Sequence, residues 1–369
     1  MTDQLKQIQK CLQNADSLLA TKKVAAGFDG FIDAIVKVVN YKTDKGAVFF
    51  KTIAEFGNYI TAKSGSGFSL ESEELMQKLG GNMPIMANAM AQMGSKVNCV
   101  GAFGVPGIAP AFADMHPCCT LYSFTNPGFT NAIEFADGKI MLAQMTDLNK
   151  ADWGTITSSI GLNMLKDIFT GTDLVCLVNW SELDHSNNIW QGLLNDIFSN
   201  NPYPPKQFFF DLSDCSKRSK DTILSAIKLL QQFSKYGHVT LSLNRNEANI
   251  LYKYLINQAA SDDLPTIGNQ LYVDLGLNAL IIHSSQTSLA WDANGIYSHQ
   301  PAFISDPKIS TGAGDNFNAG YCIAQMLGLN TLQSLILANT TANCYIKSGQ
   351  SPDITTLSVY ISELIVASL

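Results

Sequence analysis

The sequence predicts an α/β fold, a Rossmann-like and mostly parallel sheet with helices on both faces, plus a small β-sheet lid. From Val24 onward, short apolar runs alternate with helical patterns, which is the rhythm of strand–helix–strand units. Two stretches break it with polar-rich strands around glycine turns, as a small separate sheet would. The 369 residues are 46% hydrophobic and 15% charged. That supplies apolar side chains for a sizeable core and excludes wholesale disorder.

Element by element, Leu5, Ile8, Leu12, Ala15 and Leu19 recur at three- and four-residue spacing. They predict an amphipathic helix, ended by Lys22-Lys23, as an extension over 1–23 ahead of one large domain over 24–369. Residues 24–28, 97–104, 173–180, 207–212, 238–244 and 279–285 read as buried strands. Helices are expected at 83–94, 187–198 and 220–237, the last closed by Gly237. The stretch 129–144 reads as a hairpin turning at Asp137-Gly138, and 34–52 as two more strands. The lid is accordingly assigned to about 34–52 and 118–145. Between these parts, 61–74 is rich in Ser, Gly and Glu and reads as a mobile loop.

Lys plus Arg number 24 against 31 Asp plus Glu, a net charge of −7. With no basic run, binding to nucleic acid or to an anionic membrane is not expected. No apolar run reaches the ~18 residues of a membrane span. The first 23 residues lack the continuous apolar core of a secretory signal. Eight cysteines occur without a C-x-x-C pair, which argues against a disulfide framework or zinc site and for a reducing, cytoplasmic location. Cys118-Cys119 reads as two buried small hydrophobes.

The strongest chemical signal is Ser310-Thr311-Gly312-Ala313-Gly314-Asp315, running straight into a helical apolar pattern. Glycines opening a helix let backbone N–H groups converge where the helix carries partial positive charge, so this is an anion site. An Asp there would repel a merely bound phosphate. It fits instead a base that takes the proton of an attacking hydroxyl while the N–H groups stabilise the transferring phosphoryl group.

That segment resembles the C-terminal signature of the ribokinase-like, or PfkB-type, carbohydrate kinases. The stretches 79–104, 26–38 and Asn244-Arg245-Asn246-Glu247 are similar to three further motifs of that family, in the family's order. The resemblance spans 24–349 and leaves Leu5 to Lys23 outside. It implies Asp315 as catalytic base and Gly312, Ala313 and Gly314 as anion hole. It implies Asp33, Gly80, Gly81 and Asn82 as sugar-binding residues, with Asp29 competing for the role of Asp33. Asn244, Glu247, Ser284 and Asn339 would serve the nucleotide, with Glu247 organising Mg2+ through water. Asn244 and Glu247 equally suit a helix cap. The only arginines, Arg218 and Arg245, are placed as phosphate contacts.

ATP is the implied co-substrate, adenine lying near Ala338-Asn339. A homodimer through the lid is a further implication. Three departures stand out. Ile309 occupies the place of an Asp that helps bind a monovalent cation, which leaves potassium activation open. Ser284 stands for a glycine, and Ile85 for an asparagine. The reading is an ATP-dependent kinase of an unphosphorylated sugar. A nucleoside kinase, an ADP-dependent sugar kinase of the same superfamily and a non-catalytic sugar or nucleotide sensor are the alternatives.

Overall fold

The computed structural model describes residues 1–199 and 203–367. Fourteen strands are present among them: β1 (Lys23–Gly27), β2 (Phe31–Thr43), β3 (Gly46–Phe49), β4 (Ser72–Gly80), β5 (Lys96–Gly101), β6 (Cys119–Ser123), β7 (Gly128–Phe135), β8 (Gly138–Gln144), β9 (Leu174–Leu177), β10 (Lys206–Asp211), β11 (Gly237–Asn244), β12 (Ala279–His283), β13 (Ser288–Asp292) and β14 (Gly295–His299). Nine of them form the main sheet, in the order β14-β13-β12-β11-β10-β9-β1-β5-β6. It is parallel from β6 to β12, and β13 and β14 close it as an antiparallel edge.

The apolar runs form central strands because both their faces are covered. Phe208 and Phe210 enter one hydrophobic layer and Phe209 the other, as the two-residue period of a strand requires. All three are essentially excluded from water, each worth about 1.5–3 kcal/mol of burial.

The lid is a five-stranded sheet in which β2 pairs with β3, β4 and β7, and β7 with β8. The hairpin turns at Asp137-Gly138 as expected. Two boundaries change. Residues 119–123 belong to the main sheet as the edge strand β6, not to the lid, because Cys119 and Leu121 pack against its core. The expected loop over 61–74 is shorter. It follows a helix over Ile53–Ala62, and β4 already begins at Ser72, running antiparallel to β2. Phe56 of that helix joins Phe50, Val36 and Val38 in the lid's own small core, a tertiary gain that the polar composition of 61–74 conceals.

The N-terminal segment folds as two helices, Thr2–Leu12 and Ala15–Leu19, rather than one. All five of its periodic apolar residues are buried in the same layer as the helices Ala313–Met326 and Ile354–Ala367. The helix predicted to close at Gly237 ends at Phe233, and Gly237 opens β11. There a Cβ would stand 2.1 Å from the Lys206 carbonyl oxygen. All eight thiols are free, and Cys118 and Cys119 are half-buried rather than buried.

Candidate active site

Functional side chains gather at the carboxyl ends of the parallel strands, where an open α/β sheet presents its crevice. Asp211 ends β10, Asn244 ends β11 and His283 ends β12. These three residues line one cavity of about 500 Å³, together with Asp33, Gly81, Asn82, Thr130, Asn179, Lys217, Glu247, Thr311, Gly312, Gly314 and Asp315. Of the sequence-predicted sugar and phosphoryl residues, Asp33, Gly81, Asn82, Gly312, Gly314 and Asp315 thus meet in one place, although they lie as far apart in the chain as Asp33 and Asp315, whereas Gly80 and Ala313 do not line it.

Asp33 sits in β2, flanked in register by Lys78 on one side and Thr130 on the other. Its carboxyl is raised above the usual range by burial, an effect opposed by Lys78, the Thr130 hydroxyl and Lys139. Gly80 leaves room for it, since a Cβ there would lie 2.6 Å from the carboxyl carbon.

Asp29 resolves differently. Its carboxyl accepts the Met83 N–H at 3.0 Å and Asn179 Nδ2 at 2.6 Å. It is fully buried, and burial pushes it up to about 7. Asp29 therefore tethers the start of the helix Asn82–Gln92, and Asp33 is the carboxyl that faces the cavity. Gly81 adopts φ +93, and a Cβ there would meet Asp29 Oδ2 at 2.5 Å.

Around Gly312 the backbone turns left-handed, φ 89, a conformation glycine adopts without penalty. The Tyr345 hydroxyl donates to the Thr311 carbonyl at 2.9 Å, and Asn316 Nδ2 to the Gly312 carbonyl at 2.9 Å. The first bond of the helix ladder is Asn316 N–H to Gly312 O. The Gly314 and Asp315 amides precede that bond, where N–H groups have no intrahelical acceptor. Ala313 differs from expectation, because its N–H is given to Ser310 O at 3.1 Å and it lines the neighbouring cavity instead. From the lid, Lys139 reaches the Thr311 hydroxyl. Asp315 is buried, and burial holds its carboxyl well above the ordinary range, with Asp211 and Asp29 adding to the rise.

Asn244 and Glu247 form a capping box. Asn244 Oδ1 accepts the N–H groups of Asn246 and Glu247, and Glu247 accepts the Asn244 N–H at 2.8 Å. Both still line the cavity. Burial raises the Glu247 carboxyl, with Asp211 second. Among the described residues no three His, Cys, Asp or Glu groups form a metal cluster. Buried carboxyls that raise one another nevertheless suit a divalent ion held mainly by phosphates and water.

A second cavity, about 530 Å³, opens beside the first and shares Asn244, His283 and Gly314 with it. Pro301, Phe303, Ile304, Phe317, Ala342 and Ile346 give it an apolar wall, which suits a flat heterocycle. His283 stacks on Phe317 at 4.7 Å between ring centres, and burial lowers it to about 4, so it is neutral. Ser284 and Asn339 line this cavity, but both are engaged. The Ser284 hydroxyl closes a turn with Gln286 and Thr287, and Asn339 Nδ2 binds Ser288, His299 and Leu335. Ala338 is buried away from it.

Neither arginine reaches the first cavity. Arg218 binds Ser181 O and Asp184, whereas Arg245 pairs with Asp262 and lines the second cavity. Sequence reasoning missed Asn179, Thr130, Asp214 and Lys217. None carries a local signature, and each reaches the cavity only through the tertiary fold.

The chain matches the family described as prokaryotic ketohexokinase over residues 2–364, which includes the N-terminal helices expected to lie outside the resemblance. It is 27% identical to a ketohexokinase from Haloferax volcanii over 355 residues, 95% of this chain and 94% of that one. A probable sugar kinase from Rhizobium etli has a similar fold, with a TM-score of 0.63 at 15% identity, covering 93% of this chain and 98% of that one. So has an Arabidopsis thaliana ribokinase complexed with ribose and ATP, with a TM-score of 0.60 at 14% identity, covering 92% and 98%. The fold is thus the ribokinase fold.

Proposed function

The chain belongs to the prokaryotic ketohexokinase family, and from that premise we propose that it transfers the γ-phosphoryl group of ATP to a hydroxyl of a ketohexose. What supports this most is one cavity lined both by a buried Asp315 with Gly312 and Gly314 and by Asp33. Asp315 takes the proton of the sugar hydroxyl as its oxygen bonds to phosphorus and the bond to the ADP oxygen breaks. A carboxyl raised toward neutrality suits this role. The amides of Gly314 and Asp315 stabilise the charge on the phosphoryl oxygens. Asp33 accepts hydrogen bonds from sugar hydroxyls, and Gly80, Gly81 and Asn82 keep the chain close to the ring. The lid, tied to the anion turn through Lys139, excludes water that would compete for the phosphoryl group.

Mg2+, faced by Glu247 through water, would neutralise phosphate charge when bound. Adenine occupies the apolar second cavity. An unphosphorylated sugar is favoured because Asp33, Glu182, Asp211, Asp214, Glu247 and Asp315 line the first cavity. Among the residues lining it Lys217 is the one cation, and it pairs with Glu182. Exposed Leu75, Met76 and Leu142 on the lid strands support a homodimer through the lid; light scattering in solution tests this.

The function is tested by following ADP release with ATP and Mg2+ across ketohexoses, aldoses, sugar phosphates and nucleosides, with ADP as donor in a parallel series. Turnover confined to free ketohexoses with ATP is expected. Preference for a nucleoside or a sugar phosphate, or for ADP, would replace this reading. ATP binding without turnover of any acceptor would favour the sensor.

A further inference from the structure

We propose that Oδ1 of Asn179 accepts a hydrogen bond from one hydroxyl of the bound sugar and is a specificity-determining contact. This rests on the sugar-kinase reading above and assigns a residue for which the sequence motifs give no role. Asn179 is 98% buried and lines the first cavity two residues after β9. Its backbone is left-handed, φ 60 and ψ 37, a conformation Asn tolerates better than most residues. Its Nδ2 donates to Asp29 Oδ2 at 2.6 Å, and the same carboxylate accepts the Met83 N–H. When Asp29 is ionised it cannot donate, so the amide cannot turn round and its oxygen is held away from Asp29.

That oxygen is buried and has no hydrogen-bond partner. A buried acceptor left unmet costs about 1–3 kcal/mol, and such a group in a native site calls for an explanation. The other buried side-chain atoms in the same state, on Gln4, Gln9, Ser95, Asn149, Ser181 and Asn316, belong to residues that do not line this cavity. A sugar hydroxyl is the donor the cavity is otherwise suited to receive. Asp33 and Asn179 would then read two different hydroxyls of one ring, the first with a charged acceptor and the second with a neutral one.

The test is a cycle of Asn179→Gly against single-deoxy ketohexoses, at about pH 8 so that Asp29 is ionised. Glycine keeps the left-handed backbone and removes the amide together with its hydrogen bond to Asp29, so a thermal melt of the variant accompanies the rates. In the unaltered enzyme one deoxy position is expected to lower kcat/KM by about 10- to 100-fold. In Asn179→Gly that ratio should fall to within about threefold, while the ratios at all other positions are retained. Unchanged ratios at every position would overturn the proposal. Should the variant fail to fold, a crystal structure of the unaltered enzyme with sugar and a non-hydrolysable ATP analogue decides. A sugar oxygen within about 3.2 Å of Oδ1 is expected, and a water in that place overturns it. If the acceptor panel identifies another sugar, the ketohexose reading fails alone, and the same cycle is run with that sugar's deoxy series.

Discussion

Gly80→Ala separates sugar recognition from stability. Gly80 ends β4 directly opposite Phe31 of β2, and its missing side chain is the space that the Asp33 carboxyl fills. A Cβ would lie 2.6 Å from Cγ and Oδ2 and 2.7 Å from Oδ1. Unstrained contact requires about 3.5 Å, so the carboxyl must retreat by roughly 1 Å. A shift of that size spoils hydrogen-bond geometry, and a bond to a charged acceptor is worth about 1.5–3 kcal/mol. At 1.4 kcal/mol per tenfold this is roughly a 10- to 150-fold loss of kcat/KM. With Asp33 on the sugar before and during transfer, as proposed, the loss should appear mainly as a raised KM. The backbone of Gly80 is not left-handed, so alanine adds no strain there. Initial rates against sugar at saturating ATP, with a thermal melt of the same sample, give both quantities. A folded variant whose kcat/KM stays within about threefold of the parent would refute the placement of Asp33 on the sugar. Gly81→Ala is the contrast. At φ +93 and 2.5 Å from Asp29 Oδ2 it combines backbone strain with loss of a helix tether, and it should lower the melting temperature itself.

The remaining expectations concern the base, its titration and the N-terminal helix. Asp315→Asn should retain sugar binding by calorimetry while kcat falls by about 10²–10⁴; near-full turnover would refute the base assignment. Burial raises the Asp315 carboxyl, and the base acts only when ionised. The acid limb of kcat/KM, which reports the free enzyme, should therefore lie above the ordinary carboxylate range of about pH 4, with activity lost as pH falls through it. A profile still flat at about pH 5 would contradict this. Ile8 is fully buried against the main domain, so Ile8→Ala should cost about 2–5 kcal/mol. Urea unfolding would read that as a lower midpoint, and an unchanged midpoint would show that the helix is not part of the core.

Apolar runs and glycine positions are local facts, and they made much of this protein readable. The triple Phe208-Phe209-Phe210 reads as a strand buried on both faces, and Gly312-Ala313-Gly314-Asp315 before an apolar pattern reads as a helix start carrying a carboxyl. Asp33, Gly80 and Gly81 were expected from the family resemblance, with Asp33 preferred to its competitor Asp29. Both are acidic residues near the same turn, and only the structure turns one carboxyl onto Met83 and Asn179 and the other into the cavity. The lid was half legible. Its two hairpins carry turn residues, whereas β4 is a polar strand that exists because β2 offers it an edge. Residues 119–123 were misassigned because an edge strand carries the same weak pattern as a lid strand.

By itself, then, the sequence determined the α/β layering and the glycine turn that opens a helix with a carboxyl in its first turn, since periodicity, glycine and charge act over a few neighbouring residues. Tertiary structure alone decided that Asp29 is turned onto Met83 and Asn179 while Asp33 lines the cavity, that Arg218 is held by Ser181 O and Asp184, and that Asn179 lines the same cavity with its amide bound to Asp29. Hydrogen-bond satisfaction depends on which distant groups the fold brings within about 3 Å, and no local pattern carries that information.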